Sequence, residues 1–88
     1  MQAKLKEEIL LEGKLRGVFT GFRNFDTTFR FLGGGVWRQD EYLYTYHKLN
    51  SPMAKIIRVT EQRVTRKETY YIEVYSVPKR VKVRPAYD

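Results

Sequence analysis

Apolar and polar positions alternate along most of this chain with a period of two, the period of a β-strand whose two faces meet different surroundings. Ile9, Leu11, Leu15 and Phe19 fall on one parity, and Glu12, Lys14 and Arg16 on the other. Phe25, Phe29 and Phe31 oppose Thr28, Arg30 and Leu32 in the same way, and Tyr42, Tyr44 and Tyr46 share a single parity within a strand expected over residues 41–48. The clearest strand spans residues 69–77, with Tyr70, Ile72 and Val74 on one face and Tyr71, Glu73 and Tyr75 on the other. Residues 54–61 read as a strand because Ile56, Ile57, Val59 and Thr60 are β-branched, although Met53, Ile56 and Ile57 also fit helical spacing. A short last strand sets Val81 and Val83 against Arg80, Lys82 and Arg84, with Pro85 expected to end it.

The punctuation between these runs predicts how they connect. Arg23 and Asn24 separate Phe22 from Phe25, and Asn tolerates tight-turn geometry, so a hairpin joining the first two strands is expected there. Gly33, Gly34 and Gly35 read as a hairpin turn or bulge; a phosphate-cradling loop needs spaced glycines ahead of Lys-Ser/Thr, and Val36, Trp37 and Arg38 follow instead. Asn50, Ser51 and Pro52 predict a turn, residues 62–67 a hairpin loop, and Pro78 with Lys79 a tight turn. Gly13, Gly17 and Gly21 recur on the apolar parity of the first strand, where they would let a long strand bend as barrel strands do. Residues 1–7 have helical propensity sufficient for one or two turns. Together these signals predict an all-β fold: an antiparallel meander of about six strands curled into an SH3-like or OB-like barrel or half-barrel, with a possible N-terminal helical turn. Phe19, Phe29, Phe31, Ile72 and Val74 are the expected core.

A length of 88 residues implies one domain with little core to spare. Thirteen aromatic residues, nine of them within residues 18–47, meet that need, since each buried ring covers on the order of 150–250 Å². The chain has no cysteine and one histidine, which argues against disulfides, thiolate metal centres and histidine-rich metal sites. No cofactor or metal is expected. Charges interrupt every apolar run, so neither a membrane-spanning helix nor a signal peptide is read, and the expectation is a soluble, unprocessed, cytoplasmic protein.

Enzyme chemistry finds no support in the sequence. His47 is the only imidazole and lies on the parity of Leu43, Thr45 and Leu49, while Asp26, Asp40 and Glu41 sit at turns or strand ends, where acids are common for solvation alone. The protein is expected not to be an enzyme. Seventeen Lys and Arg against ten Asp and Glu give a net charge of +7, which favours polyanionic partners. Interleaved cations and rings on strands suit single-stranded nucleic acid, whose phosphates follow the cations while bases stack on the rings. The expected RNA- or DNA-binding residues are Arg63, Arg66 and Lys67 on one loop, Tyr71 and Tyr75 on the best strand, and Lys79, Arg80, Lys82 and Arg84 at the last one. The signatures of RRM, KH and zinc-finger modules are absent from the sequence. The alternative expectation is a protein-interaction or structural module, self-associating through an aromatic sheet face; the cations would then only blunt a sheet edge.

Overall fold

The computed structural model describes residues 4–62 and 65–86. Its described residues form eight strands and no helix: β1 (Lys4–Lys14), β2 (Val18–Phe22), β3 (Thr28–Arg30), β4 (Val36–Gln39), β5 (Thr45–Asn50), β6 (Met53–Gln62), β7 (Arg66–Val74) and β8 (Val81–Ala86). All ladders are antiparallel. Six strands make one sheet in the order β1-β6-β7-β8-β4-β3, and β2 pairs with β5 in a second, two-stranded sheet.

The two sheets arise from one long bent pair. β1 runs into β2 and β5 into β6, so that Lys14 opposite Met53 and Val18 opposite Asn50 flank a shared corner. Gly17 turns that corner at φ 76° and Ser51 at φ 41°, and Ser51 N donates to Gly17 O at 2.8 Å. The bend swings β2 and β5 off the large sheet, carrying Phe19 and Phe22 onto its inner face. There Phe22 stacks edge-on against Phe19 and Phe29, with ring centroids 5.4 and 5.5 Å away. Phe19, Phe29, Phe31, Ile72 and Val74 are all buried, as the alternation predicts, beside Leu15, Ile56, Val81 and Val83.

Several expectations change. Lys4 onward is strand and not helix, because pairing with β6 across ten register positions outweighs a weak helical propensity. The turn at Arg23 and Asn24 exists, but β2 does not pair with β3, since the Gly17 bend has already committed β2 to β5. The strand expected over 41–48 begins at Thr45. Arg66 and Lys67 lie within β7 and not in a loop. β8 passes through Pro85 to Ala86: past Val83 it borders β4 alone, so the missing N–H falls where one side of the strand is already open. The ladders do not close into a barrel. Among the described residues the edges of the large sheet meet at one point, where Leu15 bridges Phe31, Arg16 N donates to Arg30 O and Leu32 N to Lys14 O. The glycine run is a turn as expected, with Gly34 N donating to Phe31 O and Phe31 N to Gly35 O, each at 3.0 Å.

Candidate nucleic-acid interface

The cations expected to bind phosphate are spread along the outer face and ends of β7 and β8, and several are already engaged. Arg80 lies over the ring of Tyr71 at 5.4 Å. Its guanidinium donates to Glu73 at 2.7 Å and to Glu7 at 3.0 Å. These two carboxylates raise its pKa further above the ordinary arginine value, and the same hydrogen bond holds the Glu7 carboxyl below its usual 4.5. Arg84 turns inward along the sheet edge, donating to the carbonyls of Gln39 and Phe25 and pairing with Asp40 at 3.3 Å. Arg66 pairs with Glu68 at 3.0 Å. Lys82 is directly opposite Tyr71, so Tyr71, Arg80 and Lys82 do come together. Lys67, on the same face of β7 as Tyr71, is four residues away, about 13 Å along the strand. Tyr75 and Lys79 are exposed beyond the other end of β7. Among the described residues no ion pair holds Lys67, Lys79 or Lys82. Arg63 lies outside the described residues. Trp37 is half-buried, its ring 5.3 Å from that of Tyr70, and packs against the core.

A second aromatic group stands on the opposite arm of the molecule. Burial alternates without interruption over residues 41–50, and the exposed positions are Tyr42, Tyr44, Tyr46, Lys48 and Asn50. Tyr42 is 90%, Tyr44 74% and Tyr46 63% exposed, while Leu43 and Leu49 between them pack on the core. The common parity of the three tyrosines was visible in the sequence; which parity faced water was not, because either could have been the buried one.

Buried polar groups fix this tyrosine row in place. Gln39 ends β4 with its side chain at 0% exposure, and all three of its hydrogen bonds go to backbone. Its Nε2 donates to Glu41 O and Leu43 O at 3.0 and 2.9 Å, and its Oε1 accepts from Arg23 N at 3.0 Å. One amide therefore ties the segment before β5 to the turn after β2. Thr27 Oγ1 accepts from the backbone N–H of Arg23 and Asn24, which shapes that turn. Glu41 accepts from Lys82 N at 2.7 Å, and Phe25 meets Tyr42 edge-on at 4.8 Å. Gly21 lets β2 approach β5 at φ 108°: a Cβ there would stand 2.1 Å from Thr45 O.

Arg23 and Lys48 are exposed on the same arm, and Arg38 is exposed on β4 opposite Arg84. Among the described residues no group of His, Cys, Asp and Glu could hold a metal ion, and no helix is long and apolar enough to cross a membrane. No family model, curated protein or solved structure matches the chain.

Proposed function

We propose that this chain is a single-stranded nucleic-acid-binding module, RNA or DNA, in which bases stack on Tyr42, Tyr44 and Tyr46 and the phosphates run past Arg23 and Lys48, with Lys82 and Arg38 beyond the Tyr42 end. The observation that carries this reading is the three-tyrosine row, held out to solvent by a buried glutamine in a protein of charge +7. An exposed tyrosine has a planar face for any base, and stacking contributes roughly 1–3 kcal/mol per base without demanding a sequence. Arg80, Arg84 and Arg66 take structural parts in this reading, since their carboxylate partners already neutralise them. The large sheet, joined to itself at the Leu15–Phe31 bridge, serves as a half-open barrel of the SH3-like or OB-like kind that carries the row.

The test is an NMR titration with a short oligonucleotide, single-stranded and then duplex. The expected result is shifts confined to Arg23 and residues 42–48 with the single strand and weaker ones with the duplex. Replacing Arg23 and Lys48 by Gln should flatten the dependence of log affinity on log salt by about 1.4 units, at about 0.7 per phosphate contact. Shifts confined to residues 66–82 would move the site to β7, and no shift at either arm would remove the nucleic-acid reading altogether.

A further inference from the structure

β1 has β6 along one side, and among the described residues nothing pairs with its other side until Lys14, where the bonds to the segment after β3 begin. A long open edge invites pairing with another chain, and a bulge is one of the devices that prevents it. Here the register breaks between Ile9 and Leu11, which protects only the C-terminal half of the strand. Residues 5–9 have no such interruption, and Leu5 and Ile9 stand 65% and 55% exposed on the outer face of the sheet.

This stretch, Leu-Lys-Glu-Glu-Ile, is complementary to itself when run antiparallel. Turned about a two-fold axis at Glu7, it sets Leu5 against Ile9 of the second copy on the outer face and, on the inner face, Lys6 against Glu8, whose carboxylate Arg58 of its own copy also holds, twice each. Centring on Lys6 would set Leu5 against Glu7, and centring on Glu8 would set Glu7 against Ile9 and run Lys6 into the bulge at Leu10. Only the Glu7 register matches apolar with apolar and cation with anion. The two Glu7 carboxylates that meet on the axis each bring a counter-charge, because Arg80 already donates to them. Ile9 is opposite Ile57, which is only 4% exposed although it faces outward, so Leu5 of the second copy would extend that apolar strip across the joint.

We propose that β1 pairs with β1 of a second copy over residues 5–9 in the register centred on Glu7, joining two six-stranded sheets into one. The joint is short, so the dimer is weak and concentration-dependent, and it leaves the tyrosine row of each copy free. Sedimentation equilibrium of the parent is expected to show the mean mass rising towards the dimer between micromolar and millimolar protein. Ile9→Lys and Lys6→Glu should each raise the dissociation constant at least tenfold with an unchanged circular dichroism spectrum. The chain has no cysteine, so Glu7→Cys introduces a single thiol. Opposed Cα atoms of an antiparallel pair are about 4.5–5.5 Å apart, within disulfide reach, and Glu7→Cys should cross-link much faster than Lys14→Cys. A parent that stays monomeric at millimolar concentration, a dimer that Ile9→Lys leaves intact, or equal cross-linking of the two thiols would each overturn the proposal.

Discussion

On the outer face of β7 and β8, Arg80 covers Tyr71 and is itself held by Glu7 and Glu73; on the β2–β5 arm, Tyr42, Tyr44 and Tyr46 are largely exposed, and Arg23 and Lys48 of the same arm are exposed too. Both regions combine rings with cations. They differ in where the acids sit. β1 delivers Glu7 and Glu8 to the large sheet, where Arg80 and Arg58 take them up, while the exposed side of the tyrosine row carries no carboxylate at all among residues 42–50. Net charge therefore says little about available charge: a cation that is paired within the fold has to break that pair before it meets a phosphate.

The comparison can be broken most severely at Gly21. In Gly21→Ala the new methyl would collide with the Thr45 carbonyl at a φ that side chains rarely adopt, so a loss on the order of 3 kcal/mol or more is expected. Urea denaturation should show the domain marginal or unfolded, with Gly13→Ala, where nothing lies near the added carbon, as the mild counterpart. Gln39→Leu is next. It keeps the volume but leaves Glu41 O and Leu43 O without their partner and Arg23 N with the Thr27 hydroxyl as its remaining acceptor, at about 1–3 kcal/mol for each orphaned carbonyl that stays buried. Amide exchange should quicken over residues 41–44 before it does in β6 or β7.

Tyrosine truncation separates the two arms directly. Tyr44→Ala is expected to weaken single-strand binding by about 1–3 kcal/mol with little change in melting temperature. Tyr71→Ala should do the reverse, lowering the melting temperature through the loss of its contact with Arg80 while leaving binding intact. Equal binding losses in the two variants would show that both arms contact the ligand.

The smallest effect is a pH dependence. The hydrogen bond from Arg80 depresses the Glu7 carboxyl below 4.5, and Arg58 does the same to Glu8. A depressed carboxyl stabilises the fold fully above its unfolded value and loses that contribution as pH falls through the folded value. The parent should therefore lose more stability than Arg80→Met when pH is lowered from neutral to below 4.5, as followed by thermal melts. No difference between them would mean that Glu7 contributes nothing in solution.

The sequence disclosed the core better than the connections. Phe29, Ile72 and Val74 were legible because a buried face imposes a strict two-residue period, and β6 and β7 because β-branched and aromatic residues fill them. β1 was missed at its start because the helical propensity read up to Glu7 is a local signal, whereas its strand state depends on β6, far along the chain. The pairing of β2 with β5 was likewise hidden: Gly17 announced a bend, but nothing local says which strand will follow it. In the candidate site, the parity of the tyrosines was plain, and the engagement of Arg80 was not, since Glu7 approaches from the other end of the sequence. Gln39 gave no signal at all, as a lone glutamine reads as a surface residue until its three backbone partners converge on it.

The pairing of β1 with β6 also sets the order in which this protein can assemble. Strands β6, β7 and β8 are neighbours in sequence and can zip together through short connections, whereas joining β1 to β6 closes loops of roughly forty to sixty residues, an entropic cost met before any contact compensates it. β1 is thus expected to dock late, with low φ-values at Leu5 and Ile9 and high ones at Ile56 and Ile72. Until it docks, the flank of β6 that carries Ile57 and Val59 lies uncovered, and a nascent chain at high concentration can fill it with the first strand of its neighbour, exchanging arms before either copy has finished folding.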